Sequence, residues 1–176
     1  MKMKAFIFCL CLASTVFAYS GGSGEPNDPY QIGTAGDLLA LAAETNDYNK
    51  PFILTADINL APYNFTTAVI APDTNNSTGD FQGVQFSGVF DGNGHKIINL
   101  TIDTNGIGNN YLGLFGDVNN GQIKNLALEN VTIADGNNSQ YLGGLVGKNE
   151  GAISNCHSAS AVAGGNSSSI TESVSL

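Results

Sequence analysis

The sequence predicts an all-β fold made of stacked repeats, with one short helix near its N-terminus. Three observations carry this. The stretch YLGGLVGKNEGAISN at 141–155 repeats YLGLFGDVNNGQIKN at 111–125, with Tyr, Leu, Gly, Ile and Asn recurring thirty positions apart. A third copy, FSGVFDGNGHKIINLTI at 86–102, aligns with 111–128 when one residue is deleted. Upstream of the repeats the chain alternates apolar and polar residues from Phe52 to Asn59, the period of a strand.

Each element follows in order. Residues 1–18 open on two lysines and an apolar run from Ala5 to Phe17, closing on Val16-Phe17-Ala18. The run is too short to span a bilayer and ends in small residues at the cleavage positions, so it reads as a secretory signal peptide. Residues 19–29 are rich in Gly and Pro and form a leading turn. Tyr30-Gln31-Ile32 suits a short strand. In TAGDLLALAAET, Thr34 and Asp37 make a capping box, and Leu38, Leu39, Leu41 and Ala42 give one apolar face, predicting a helix over about 35–45. Phe52, Leu54, Ala56 and Ile58 form the buried side of one strand. Residues 61–80, rich in Pro, Asn, Thr and Asp, predict a long surface excursion around a brief Ala68-Val69-Ile70 strand.

The repeats then occupy about 86–103, 111–133 and 141–163 of a single domain spanning 19–163. Hairpins would need a private turn and partner for each strand. Here the same residue type returns at the same phase instead. That fits a coil in which each repeat is one turn and like residues stack about 4.8 Å apart. Asn99, Asn125 and Asn155 would form an amide ladder. Ile97, Ile123 and Ile153 would stack inside, and Gly88, Gly113 and Gly143 would mark corners. Residues 164–176 read as a flexible tail or an incomplete last coil.

Composition excludes some functions. The formal charge is −9, and all six basic residues are lysines, two of them in the leader. Without a basic face, nucleic acid is set aside as a partner, as are anionic membranes; no membrane insertion is expected after leader cleavage. Cys9 and Cys11 leave with the leader, so Cys156 stands alone with no intrachain disulfide.

Gly144-Leu145-Val146-Gly147 within YLGGLVGKNEGAISN resembles the core of the GLUG motif. YLGLFGDVNNGQIKNL resembles the variant that precedes it, and GVFDGNGHKIINL the first full coil. GGSGEPNDPYQI with FILTADINL resembles the usual N-terminal lead-in. The resemblance implies a right-handed parallel β-helix (β-solenoid) capped by the N-terminal helix. It also implies a bacterial, secreted or cell-surface location. The motif accompanies adhesin-like proteins and the non-catalytic part of immunoglobulin-A-cleaving metallopeptidases.

Candidate chemistry is sparse. Right-handed β-helices include polysaccharide lyases and hydrolases, but this chain has no Arg and no carboxylate cluster beside its lysines. Asp91 and Asp117 are a candidate carboxylate pair for glycoside hydrolysis, against a turn role for Asp91. Asp91 and Asn93 in Asp-Gly-Asn-Gly resemble the start of a calcium loop, which lacks the closing Glu; weakly bound calcium is the one cofactor considered. The phase of Cys156 after Asn155 matches Leu100 and Leu126, placing its thiol inward and His157 outward, as at Thr101 and Ala127. This argues against a Cys–His catalytic or zinc site. HExxH and GxSxG are absent. The sequence therefore predicts a non-catalytic structural or adhesive module whose partner is an extracellular protein or glycan. The alternative is a carbohydrate-binding or carbohydrate-cleaving β-helix, with Tyr111 and Tyr141 as an aromatic platform. Self-association through the C-terminal coil edge is also expected.

Overall fold

The computed structural model describes residues 19–77 and 79–170. The leader at 1–18 lies outside the described residues, as do Thr78 and 171–176.

Strand β1 (Tyr30–Ile32) precedes helix α1 (Ala35–Ala43). The capping box is formed: Asp37 N–H donates to Thr34 Oγ1 at 3.1 Å, and Asp37 Oδ2 accepts Thr34 N–H at 2.9 Å. Leu38 and Leu41 are the buried face. The helix ends two residues before the expected limit, because Glu44 leaves helical geometry and a single 3-10 turn, Thr45–Asp47, follows.

The rest is β structure, and the chain passes repeatedly between two sheets. β2 (Pro51–Leu54) lies in the first sheet and β3 (Ile58–Asn59) in the second. β4 (Val89–Asp91) returns to the first, and β5 (Lys96–Ile98) and β6 (Thr101–Asp103) to the second. β7 (Phe115–Lys124), β8 (Ala127–Ala134), β9 (Val146–Ser154) and β10 (His157–Ala163) continue the alternation. The first sheet runs β1-β2-β4-β7-β9 and the second β10-β8-β5-β3, with β6 also on β8. Every named strand pair is parallel. A third row is made by parallel bridges joining Leu112 to Leu142 and Leu142 to Ile170.

The single strand expected over 52–59 is two. Phe52, Leu54 and Ile58 are buried as the alternation requires. However, the chain turns at Thr55–Asp57, and Asp57 Oδ1 accepts Lys96 N–H at 3.2 Å. The excursion over 61–80 is also shorter than expected. Phe65 bridges Ile102, Ile70 bridges Phe115, and 68–71 are buried, so 65–71 belong to the stack. Beyond them, Asp73 Oδ1 accepts Gln82 N–H at 2.8 Å and Thr74 Oγ1 donates to Gln82 O at 3.0 Å, closing the neck of a loop.

The first sequence repeat is out of register with the fold. Phe90, not Ile97, lies beside Ile123, and Ile123 lies beside Ile153. Ile97 lies between Ile58 and Leu128. Gly88 neighbours Gly121, since Gln122 N–H donates to Gly88 O at 2.8 Å, whereas Gly113 lies against Gly143. The offset between equivalent residues falls from 33 at Asp91–Lys124 to 31 at Ile97–Leu128. The cause is the Gly92-Asn93-Gly94-His95 corner, which is two residues longer than the Asn125-Leu126 corner beneath it. No single deletion reconciles the two.

The expected use of the glycines is corrected too. Gly88, Gly113 and Gly143 do not have positive φ; Asn99 (61°), Asn125 (54°), Asn130 (54°) and Asn155 (51°) do, and at the 92–95 corner Asn93 (52°) and Gly94 (79°). Gly88 and Gly113 serve close packing instead. A Cβ on Gly88 would overlap Lys50 O, and one on Gly113 would lie 2.7 Å from Gly143 O and 2.8 Å from Phe115 O.

The core lies between the sheets. Phe86, Phe90 and Phe115 are fully buried, with ring centroids 5.1 Å (Phe86–Phe115) and 5.4 Å (Phe90–Phe115) apart. Residues 164–170 hold to the passage before them. Gly165 N–H donates to Gly136 O at 2.8 Å, and Ser169 N–H to Ser139 O at 2.8 Å.

Candidate functional site

Two columns of polar side chains run across the strands, the first at the corner between the sheets and the second within the second sheet. In the first, Asn125 Nδ2 donates to Asp91 Oδ1 at 3.0 Å, and Asn155 Nδ2 donates to Asn125 Oδ1 at 3.2 Å. In the second, Asn99 Nδ2 donates to Asn59 Oδ1 at 2.9 Å, and Asn130 Nδ2 donates to Asn99 Oδ1. The expected ladder of Asn99, Asn125 and Asn155 is therefore split. Asn125 and Asn155 adjoin, and Asn99 belongs to the other column. Asparagine suits these places twice over. It tolerates left-handed backbone, and its amide both gives and takes one hydrogen bond along the stack.

Beside the first column is a hollow of about 290 Å³ lined by Gly94, Asn125, Leu126, Ala127, Asn155 and His157. The longer 92–95 corner forms one lip. Ion pairs stand nearby: Lys124 Nζ is 3.3 Å from Asp91 Oδ2, Lys96 Nζ is 2.9 Å from Glu129 Oε2, and His95 Nδ1 is 3.1 Å from Asp57 Oδ1. Burial pushes the Asp91 carboxyl up. The Asn125 amide, the Asn93 N–H and Lys124 outweigh it and hold the carboxyl below its ordinary range. The Lys96 N–H and the His95 ring hold Asp57 low, and Glu129 holds Lys96 high.

The calcium candidates do not gather a cation's donor set. Asp91 Oδ1 accepts Asn93 N–H at 2.8 Å besides the Asn125 amide, and Oδ2 faces Lys124. Asn93 Nδ2 donates to Leu54 O at 3.2 Å. Among the described residues no group of three or more His, Cys, Asp or Glu is arranged to hold a metal.

Asp91 and Asp117 occupy different parts of the first sheet, Asp91 beside Lys124 and Asp117 beside Lys148. Asp117 is fully buried; Gln85 Nε2 donates to its Oδ2 at 3.1 Å, and Oδ1 has no partner. Burial pushes its carboxyl up. Tyr111 and Tyr141 do stack, with centroids 4.7 Å apart and planes 24° apart. Tyr111, however, is buried under the edge of Phe81, leaving only Tyr141 half-buried. Cys156 is buried, with Sγ 3.3 Å from Ser154 O, and burial pushes its thiol up. His157 is exposed and pairs in register with Ala127. The Thr101 equivalence fails, since Thr101 lies beside Thr132. The surface thus offers amides, an imidazole and ion pairs, the means of noncovalent recognition.

Sequence reasoning missed Asn59, Asn130, Asp57 and Glu129. The first two carry a visible signal. Asn99-Leu100-Thr101-Ile102 and Asn130-Val131-Thr132-Ile133 are the same pattern 31 positions apart, and Thr101 and Ile102 do pair with Thr132 and Ile133.

Comparison with known proteins agrees with this repeat geometry. Residues 138–163 match the family described as the GLUG motif. The chain carries a GLUG motif. It is 32% identical over 154 residues to Halomucin of Haloquadratum walsbyi, an alignment covering 82% of this chain and 2% of that protein. It is 35% identical over 146 residues to a putative Gly-rich membrane protein of Evansella cellulosilytica, covering 81% of this chain and 15% of that protein. The chain thus spans a small part of the relatives it matches. Haloquadratum walsbyi is archaeal, so the likeness is wider than the bacterial range implied by the sequence. No solved structure matches. Among the described residues no helix is long and apolar enough to cross a membrane. The motif and the names of the relatives fit a surface-associated protein.

Proposed function

We propose that this chain is a secreted or surface-attached, non-catalytic β-solenoid module with a structural or adhesive role. Its passages wind as right-handed coils, α1 caps the N-terminal end, and the outer surface presents polar columns to an extracellular protein or glycan. The observation that carries this reading is the pair of amide columns. Each joins side chains from three successive passages into one rigid polar row on the outside of a parallel stack. A row held by the protein's own hydrogen bonds is preorganised, so a partner meets little ordering cost. The GLUG motif and the mucin-named relative support a surface setting.

A carbohydrate ligand is the second reading. The hollow beside Asn125, Asn155 and His157 favours it, since amides and an imidazole match sugar hydroxyls. One experiment separates the classes. The purified protein is incubated on a glycan array and on immobilised extracellular proteins, and bound polysaccharides are assayed for new reducing ends. Retention without cleavage, reduced by Asn155→Ala with His157→Ala, is the expected result. Release of reducing ends would make the chain an enzyme and overturn the proposal.

A further inference from the structure

Every lysine of the described residues has an acidic partner: Lys50 with Glu25, Lys96 with Glu129, Lys124 with Asp91 and Lys148 with Glu150. The chain has no arginine. Two carboxyl groups are buried, those of Asp73 and Asp117. Asp117 lies in register beside Lys148. Asp73, only 5% exposed, forms no ion pair with any of these lysines.

Asp73 stands at the neck of the 72–85 loop, PDTNNSTGDFQGVQ. Its Oδ1 accepts Asn75 N–H at 3.4 Å from the outgoing limb and Gln82 N–H at 2.8 Å from the returning one. The carboxyl group therefore sits between the limbs. Its other oxygen, Oδ2, is buried and has no hydrogen-bond partner. A buried carboxylate left so is costly, and the loop calls for a positive charge that the chain does not supply.

The donors around it are oxygens. Asn75, Ser77 and Asp80 bring an amide, a hydroxyl and a second carboxylate to the same loop, and residues 72–85 contain no His, Cys or Met. Oxygen donors on an irregular loop suit calcium. Magnesium demands a regular octahedron, and the softer transition metals favour nitrogen and sulfur. The turn alone decides nothing, because Asp91 and Asp103 accept the N–H of Asn93 and Asn105 in the same way, each at 2.8 Å. Asp91 Oδ2, however, is taken by Lys124, and Asp103 is exposed. The pattern Asp-x-Asn-Asn-Ser recurs at 135–139, where Asp135 Oδ2 is also unpartnered. There the other donors serve packing: Asn137 Oδ1 accepts Asn166 N–H at 2.7 Å, and Ser139 Oγ donates to Gly136 O at 3.4 Å.

We propose that the 72–85 loop binds one calcium ion, with Asp73 Oδ2 as its buried ligand and Asn75, Ser77 and Asp80 supplying further oxygens. The ion neutralises Asp73 and ties the two limbs together. Tyr111 already fastens this loop to the stack, since its hydroxyl donates to Gly79 O at 3.0 Å and its ring meets Phe81 edge-on. With few charged ligands the affinity belongs among extracellular modules, a Kd of about 10⁻⁴–10⁻³ M.

Calorimetric titration of calcium into the metal-free protein tests this, and one saturable site in that range is expected. Terbium gives a second readout. It replaces calcium and is excited through nearby tyrosine; Tyr111 touches the loop and the chain has no Trp, so terbium emission that calcium suppresses is expected. Asp73→Asn keeps the Oδ1 acceptor and removes the charge. It should weaken calcium binding by at least about tenfold with an unchanged circular dichroism spectrum. Asp103→Asn removes an exposed carboxyl from the same kind of turn and should leave binding unchanged. Absence of a saturable site would overturn the proposal, as would unaltered binding in Asp73→Asn. Equal losses in the two variants would also overturn it, by reducing the binding to diffuse surface charge. Should Asp73→Asn not fold, hydrogen exchange on the unaltered protein decides. Calcium should slow exchange at the amides of Asn75, Ser77 and Gln82, and a lack of slowing there refutes the site. The loop is separate from the polar columns, so the failure of either proposal would leave the other standing.

Discussion

Replacing Asn125 tests the corner column most directly, because Asn125 does two separable jobs. Its backbone sits at φ 54°, where a Cβ is costly and asparagine is tolerated. Its amide donates to Asp91 and accepts from Asn155. Asn125→Ala loses both features. The half-buried bond to Asp91 contributes about 1 kcal/mol and the exposed one from Asn155 about 0.5 kcal/mol. Left-handed backbone costs alanine about 1–2 kcal/mol, and asparagine somewhat less. The expected destabilisation is roughly 2–3 kcal/mol, a large part of an ordinary domain's stability of about 5–15 kcal/mol. At about 2–4 °C per kcal/mol for a chain of this size, the melting temperature falls by roughly 5–10 °C.

Asn125→Gly separates the two terms. Glycine accepts the positive φ but makes neither amide bond, so it should recover about 1 kcal/mol relative to alanine. Urea denaturation followed by circular dichroism measures both variants, and unchanged m values show that the same surface is exposed. Equal losses in the two variants would remove the backbone argument. A wild-type midpoint for Asn125→Ala would remove the column altogether.

Three other outcomes are expected. Asp117→Asn removes a buried carboxyl whose folded pKa is raised by burial. In the wild type the folded state holds this proton more tightly than the unfolded chain. Asp117 therefore costs stability as pH rises from the unfolded value of about 3.9 through the folded one. The variant should be more stable at neutral pH and lose that part of the pH dependence; an unchanged stability–pH curve would contradict the assignment. Cys156 should resist a thiol reagent in native buffer and react after denaturation, because it is buried and its thiol is pushed up. Rapid labelling of the folded protein would show that the third passage is misplaced. Gly113→Ala should destabilise by about 1–3 kcal/mol, since its Cβ meets backbone atoms of Gly143 and Phe115 that have little room to move; a wild-type melting curve would show the passages to be less tightly stacked.

The sequence was most legible where chemistry and spacing repeat together. The 30-residue offset between 111–125 and 141–155 placed Ile123 beside Ile153 and Asn125 beside Asn155 correctly. The helix was legible because capping is local: Thr34 and Asp37 find each other without help from the rest of the fold. The first repeat was misread because a corner tolerates insertion, whereas a strand in a parallel stack does not. Two extra residues at 92–95 bulge outward and leave both flanking strands in register. An alignment that forces one offset through that corner must displace one flank, and it displaced Ile97 and Asn99. Asp57 and Glu129 were invisible for a different reason. Each meets its partner from another passage, His95 and Lys96, at separations of 38 and 33 residues that differ from each other and from the 30-residue spacing visible in the sequence.

The same logic explains why the motif speaks more clearly about architecture than about ligands. The glycines at 113 and 143 and the asparagines at 125 and 155 face a neighbouring passage, so a neighbour's backbone or amide constrains each of them. Side chains that face only solvent carry no such constraint. His157, beside the hollow, occupies the position that Ala127 holds one passage earlier and Lys96 one passage before that. A single strand site thus carries a cation, a methyl group and an imidazole in succession while the stack beneath it is unchanged. Binding specificity in such a surface belongs to the residues that break the repeat. Under the proposed reading those are His157 and the long 92–95 corner, where the stacking requirement leaves the sequence free to vary.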